Sequence, residues 1–217
     1  MASRLVMDSL AQLAPTLGGI ASAPDLHEEE RATDRLTTMA EQAHASILAH
    51  AAQHPPLYGM GTTLVMAHLL PLPKPRLLVL NVGDSRAYLV RAGTLTQLTR
   101  DHTLIEEYVR DGRLTPTQAA CHPNRHVLTR AMGLAPHMEN DLFFFDLLDG
   151  DLLLLCSDGL TKMLTDERIL QTVRPHRHIP SLATQALIHT ALDAGGIDNV
   201  TVVACTITEI PDQANIH

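Results

Sequence analysis

Short apolar runs of strand length, cut by turn signals, constrain this chain more than any other feature. Residues 62–70 and 76–82 are two such runs, and Gly83-Asp84-Ser85-Arg86 turns the chain into a third at 87–91. Ala92-Gly93 reads as a hairpin tip before 95–98. Further runs lie at 127–132, 142–147, 151–156 and 200–206, with Asp149-Gly150 as a tight turn between the second and third of these. Strand meanders joined by hairpins imply antiparallel sheets. The remaining segments have helical texture. Residues 2–14 put Leu5, Met7, Leu10 and Leu13 near helical spacing, ended by Pro15 and Gly18-Gly19, with a loop to about residue 24. Residues 26–53 carry Leu36, Met39, Ala43, Ile47 and Leu48 on one stripe, stopped by Pro55-Pro56. Residues 103–120 read as two helical pieces broken at Asp111-Gly112, the second opened by Thr115-Pro116. Thr165-Asp166-Glu167 starts another helix, and 181–194 forms one closed by Gly195-Gly196. The expected class is α+β, antiparallel sheets with helices outside them.

Composition excludes several functions. Aromatics are 3% with no Trp, so the core is built from Leu, Val, Ala and Ile, and stacked-base binding lacks its parts. A net charge of −8 without a Lys/Arg block argues against nucleic acid and anionic membrane as partners and suits hard cations. The longest apolar candidate, 64–72, is broken by His68 and Pro71 and falls short of the roughly 20 residues that a spanning helix needs. No signal peptide is read at the N-terminus. Cys121, Cys156 and Cys205 are odd in number and far apart, as expected for reduced thiols of a cytoplasmic protein. Residues 209–217 read as a polar tail.

Two aspartates stand where chemistry is concentrated. Asp158 follows the run Leu152-Leu153-Leu154-Leu155-Cys156, and Asp198 precedes Val200-Thr201-Val202-Val203. An acid at the tip of a buried strand is held rigidly and partly desolvated, which favours cation binding. If the two strands are neighbours, both carboxylates meet at one sheet end. The same spacing also suits two turn acids that cap backbone N–H groups. Asp101, alone, reads as an N-cap for the helix from Thr103, and Asp84 as a turn acid bonding local amides or Arg86. Gly83-Asp84-Ser85 also matches the start of a serine-esterase nucleophile motif, but the C-terminal Asp/His pairing that such a serine needs, here Asp212 with His217, sits in the tail. Thirteen histidines raise zinc, but Pro123 follows His122 directly and no Cys pair has zinc spacing, so solvated loop histidines are expected.

Taken together, the segments resemble the bacterial PPM (type 2C) metal-dependent Ser/Thr protein phosphatases. The residues are Gly59-Met60-Gly61-Thr62-Thr63-Leu64, Asn81-Val82-Gly83-Asp84-Ser85-Arg86-Ala87-Tyr88, Leu98-Thr99-Arg100-Asp101-His102-Thr103, the stretch from His122-Pro123-Asn124-Arg125 to Met132-Gly133, Ser157-Asp158-Gly159-Leu160-Thr161 and Asp198-Asn199-Val200-Thr201. They occur in the family's order from residue 2 to about 207. The resemblance implies two antiparallel sheets packed as a sandwich, flanked by helix pairs, over residues 1–208. It implies a cleft holding two Mn²⁺ or Mg²⁺ ions, possibly a third, with metal-activated water as nucleophile and no catalytic side-chain nucleophile. Asp158 and Asp198 match metal ligands. Asp101 matches a ligand of the third, weaker metal. Gly159, Asn199, Asp84 and Arg86 match structural positions near the site, and 101–125 matches a flap beside the cleft. The implied partners are phosphorylated proteins and a cognate Ser/Thr kinase, with the chain itself a monomer.

The family's Asp-Gly-Met-Gly-Gly segment, whose Asp bridges both metals, does not occur in these 217 residues. The chain opens Met1-Ala2-Ser3-Arg4-Leu5, where family members typically run Val-Ala-Ser-Arg-Leu. One expectation is that Met1 replaces an internal Val encoded by GTG, with roughly 30–50 residues upstream. The other is a truncated pseudophosphatase that binds phosphoproteins or a kinase. Made alone, the 217 residues are expected to be poorly soluble and inactive.

Overall fold

The computed structural model describes residues 1–13, 27–70 and 75–208, so the expected loop at 15–24 and the tail 209–217 lie outside the described residues. Helices α1 (Ala2–Leu13) and α2 (Glu28–Gln53) pack on each other ahead of the strands. Strands β1 (Leu64–Leu70), β2 (Arg76–Val82) and β5 (Asp141–Asp146) form one sheet in the order β1-β2-β5. Strands β3 (Arg86–Arg91), β4 (Thr94–Gln97), β6 (Leu152–Cys156) and β7 (Val202–Thr206) form a second in the order β4-β3-β6-β7. Every pairing is antiparallel. Helices α3 (Leu104–Arg110) and α4 (Pro116–Ala120) follow β4, α5 (Asp158–Thr161) follows β6, and α6 (Asp166–Val173) and α7 (Pro180–Asp193) lead to β7.

The side-chain alternation of a strand explains the layering. On β2, Leu77 and Val79 face the second sheet, where they join Ala87, Leu89 and Leu153. The intervening Leu78, Leu80 and Val82 face the other way, onto Leu36, Ala40, Ala43 and Ile47 of α2. Strands β3 and β6 do the same on their side: Tyr88, Val90, Leu152 and Leu154 pack on Ile169, Ala183 and Leu187 of α6 and α7. Both central strands are therefore apolar on both faces, and the result is four layers, helices–sheet–sheet–helices. The α+β sandwich with outer helix pairs is the arrangement expected from the sequence.

Two local expectations are corrected. Residues 127–132 form no strand; Thr62↔Met132 and Thr103↔Leu128 are isolated bridges. The segment divides its hydrogen bonds between two neighbours, Thr129 N–H to His102 O and Met132 N–H to Thr62 O, so no single ladder extends. The N-cap of α3 is Thr103, whose side chain accepts from Glu106 N–H, rather than Asp101. Thr115 caps α4 in a full capping box, as Thr115-Pro116 suggested.

An ion pair between half-exposed Arg91 and buried Asp151 stands at the end of the second sheet, and Arg91 reaches across to the first. Asp151, 1% exposed, accepts from Arg91 Nε at 2.8 Å and Nη2 at 2.6 Å, and from Leu148 N–H at 2.8 Å. Arg91 also donates to Asp146 O at the end of β5. Replacing Asp151 with Asn strands a guanidinium that is only partly able to rehydrate. The expected loss is about 2–3 kcal/mol of unfolding free energy, read from urea denaturation.

Candidate functional site

The site is built at one end of the second sheet. β6 ends at Cys156, paired with Val202 of β7, so residues 157–158 and 198–201 emerge side by side. Ser157 stitches them: its N–H donates to Thr201 O, its hydroxyl donates to Asn199 O at 3.2 Å, and Thr201 N–H donates to the same hydroxyl at 3.1 Å. The approach is close enough to dictate a residue. A Cβ on Gly159 would lie 2.2 Å from Asn199 O and 2.9 Å from its carbonyl carbon. Only glycine lets the loop press against α5, which places Asp158 and Asp198 together.

Between those carboxylates stands an ammonium. Lys162 Nζ lies 2.5 Å from Asp158 Oδ2 and 2.8 Å from Asp198 Oδ2. Asp198 also accepts from Asn199 N–H at 2.8 Å. Lys162 and then Asn199 hold the Asp198 carboxyl below the usual range. Burial opposes the Lys162 charge, but its bonds to Asp158 and Asp198 outweigh that and raise its pKa.

A cleft of about 400 Å³ opens beside this cluster, with Asp84, Asp101 and Asp158 on its floor. Arg86 does not pair with Asp84. It grips Asp101 in a fork, Nε to Oδ1 at 2.9 Å and Nη2 to Oδ2 at 2.8 Å, and donates to Tyr88 Oη at 2.8 Å. Gln97 Nε2 adds a third bond to Asp101 at 3.1 Å. Asp84 is left without such a cation. Burial, then the nearby charges of Asp158 and Asp101, push its carboxyl up to about 6. The wall opposite carries Ile105, Glu106, Ala119, Arg125 and His126, from the helices and turn that follow β4.

Buried polar groups fix the floor. Asn81, fully buried at the end of β2, donates to Gly83 O and Arg100 O, tying the turn before Asp84 to the turn before Asp101. His102 accepts Gly83 N–H at Nδ1, which leaves Nε2 as the donor toward Asp141, 3.3 Å away. Ser85 is buried and shares a hydrogen bond with Thr63 Oγ1, which is not the setting of an exposed nucleophile.

All four sequence-singled aspartates thus come to one sheet end, Asp158 beside Asp198 and Asp84 and Asp101 in the adjoining cleft. Among the described residues, no three His, Cys, Asp or Glu side chains form a ready-made metal cage. Sequence reasoning missed Lys162, Asn81 and His102. Lys162 had a readable signal, its i+4 spacing from Asp158 on a helix. Asn81 and His102 lie within the segments that carry the family resemblance, but their bonds to Arg100 O and from Gly83 N–H each span 19 residues, which local texture does not show.

Two measurements check this geometry. Gly159→Ala should cost about 2–4 kcal/mol in urea unfolding, since backbone must move. Asp84→Asn tests the charge crowding. A carboxyl whose native pKa is raised keeps its proton in the native state between about pH 4 and 6, so native stability falls as pH climbs through that window. In EDTA, the variant should gain about 1–2 kcal/mol at pH 7 and nothing at pH 4, the gain being reduced by the partial exposure of the group.

Comparison with known proteins places this architecture. Residues 16–110 match the family model described as protein phosphatase 2C. The chain is 40% identical over 195 residues to the serine/threonine protein phosphatase PstP of Mycobacterium tuberculosis, covering 88% of this chain and 36% of that protein. It therefore spans little more than a third of that curated relative's length. The crystal structure of the Mycobacterium tuberculosis phosphatase PstP/Ppp superposes with a TM-score of 0.80 at 36% identity, over 95% of this chain and 81% of that one. The PstP catalytic domain in complex with two manganese ions gives 0.76 at 36% identity, over 96% and 81%. With fold and sequence similarity in agreement along nearly the whole chain, it belongs to the protein phosphatase 2C family.

Proposed function

We propose that residues 1–208 form a metal-dependent phosphatase domain that hydrolyses phosphoserine and phosphothreonine on proteins and opposes a Ser/Thr kinase in the cytoplasm. The observation that carries this reading is the meeting of Asp158 and Asp198 around one positive charge at the edge of an acidic cleft. What supports a divalent cation there is the donor chemistry. Carboxylate oxygens are the ligands that Mg²⁺ and Mn²⁺ prefer. The Lys162 ammonium occupies the place of a cation, and Asp84, Asp101 and Asp158 line the same cleft. Asp158 and Asp198 are the residues to hold the ion. Asp101 is the candidate for a weaker additional ion, in competition with the Arg86 fork.

A bound divalent cation supplies Lewis-acid charge for phosphoryl hydrolysis. The chain's residues do the rest. The Ser157–Thr201 stitch and Gly159 orient the two carboxylates. Arg86 keeps Asp101 in place and satisfied. Arg125 brings positive charge to the opposite wall, where a phosphoryl group enters, beside the His126 ring, whose pKa is lowered by burial and then by Arg125. Residues 101–125 act as a flap over that entrance. Free Cys121, Cys156 and Cys205 suit a reducing compartment. Among the described residues, no helix is long and apolar enough to cross a membrane.

The test is Mn²⁺-dependent hydrolysis of p-nitrophenyl phosphate and of a phosphothreonine peptide, on the 217-residue chain and on a version extended upstream. Asp158→Asn and Asp198→Asn should each lower turnover at least 100-fold, the loss expected when several kcal/mol of charge stabilisation disappear. Turnover that survives both substitutions, or that ignores EDTA, would overturn the reading.

A further inference from the structure

Lys162 is held unlike any other cation near the cleft. It is the C-cap residue of α5, and its own N–H donates to Asp158 O at 2.8 Å, so the backbone fixes the root of the side chain one turn beyond Asp158. From there the aliphatic stem carries Nζ to within 2.5 Å of Asp158 and 2.8 Å of Asp198. The side chain is 20% exposed, against 33% and 43% for its partners. Arg86 also meets an aspartate, but its planar fork is committed in fixed geometry to Asp101 and to the Tyr88 hydroxyl. Lys162 is a single point charge on a flexible stem, and the groups its ammonium bonds are the two carboxylates that a divalent ion would take over.

We infer that Lys162 is a built-in counter-ion that occupies the cation position between Asp158 and Asp198, so that a divalent ion binds only by displacing it and Lys162 sets the metal affinity of the site. This rests on the assignment of Asp158 and Asp198 as metal ligands. The physical logic is competition for the same oxygens. An ammonium and a divalent ion cannot both sit within bonding distance of Asp158 Oδ2 and Asp198 Oδ2. The apparent dissociation constant for the ion is therefore the intrinsic one divided by the fraction of molecules in which Lys162 has swung away. A bridge populated in about 90% of molecules weakens the ion about tenfold, and one populated in about 99% weakens it about a hundredfold. In return the metal-free carboxylates are neutralised, so the empty site does not repel itself.

The test reads metal binding directly, with no substrate present. Free Mn²⁺ is titrated by electron paramagnetic resonance against the 217-residue chain and its Lys162→Met, Lys162→Arg and Asp158→Asn variants. Thermal unfolding is followed in EDTA and in excess Mn²⁺. Lys162→Met keeps the stem and removes the charge, so it should bind Mn²⁺ at least about tenfold more tightly than the parent. It should also melt lower than the parent in EDTA and regain the difference in Mn²⁺. Lys162→Arg keeps a cation and should remain weak. Asp158→Asn should lose binding. If Lys162→Met binds Mn²⁺ no more tightly than the parent while Asp158→Asn still loses it, the inference about Lys162 falls and the metal assignment stands. If binding survives Asp158→Asn, the ion sits elsewhere, and both fall.

Discussion

β6 is apolar on both faces and ends in a carboxylate. Its Leu152, Leu154 and Cys156 are buried under α6 and α7, and Leu153 is buried between the sheets. A strand clamped in this way cannot slide by one residue without turning every apolar side chain to the wrong face. The position of Asp158 is therefore fixed by hydrophobic burial. The β6–β7 register fixes Asp198 beside it by the same means, and β3, paired to β6 through Arg86↔Cys156, brings the turn that bears Asp84 to the same end. The sandwich spends apolar burial on holding negative charges closer together than they would stand in water.

That crowding is offset in three different ways, and the differences matter more than the count. Asp101 is neutralised by a guanidinium fork and a glutamine, a rigid and fully satisfied arrangement. Asp158 and Asp198 share a lysine, which satisfies charge without fixing geometry. Asp84 has no cation of its own and answers by holding its proton more tightly. A site that is to accept an ion from solution needs ligands of the second kind. Those of the first kind are already committed, and one of the third kind is in part uncharged at neutral pH.

The layering was legible in the sequence because it depends on runs and turns. The runs 76–82 and 151–156 became β2 and β6 within one residue at each end, and Thr165 and Thr115 cap the helices that they were expected to open. Segment 127–132 was misread because its apolar and β-branched residues have strand texture, while its hydrogen bonds go to two different neighbours, information that local texture does not carry. The four aspartates were legible as chemistry by family resemblance, and the meeting of Asp158 with Asp198 depended on one condition, the adjacency of β6 and β7, which holds. What the sequence hid was partner choice. Arg86 is two residues from Asp84 and fifteen from Asp101, yet it takes Asp101, because β3 leaves the turn with Arg86 pointing along the sheet toward the end of β4.

Partner choice also separates two of the cations that border the cleft, Arg86 and Lys162. Arg86 lies on a strand whose register is locked on both sides, and its fork meets a carboxylate held by Gln97 as well. Losing it would leave the half-buried Asp101 carboxylate with Gln97 alone and take one of two partners from the buried Tyr88 hydroxyl, so the fork is costly to open. Lys162 lies at the end of a one-turn helix, with four rotatable bonds between backbone and charge. Immobilising such a chain costs about 2 kcal/mol of rotamer entropy, and that cost is refunded when the ammonium is released. The same electrostatic task, balancing an aspartate beside the cleft, thus falls to a planar fork locked in a strand at one position and to a point charge on a flexible stem at the other.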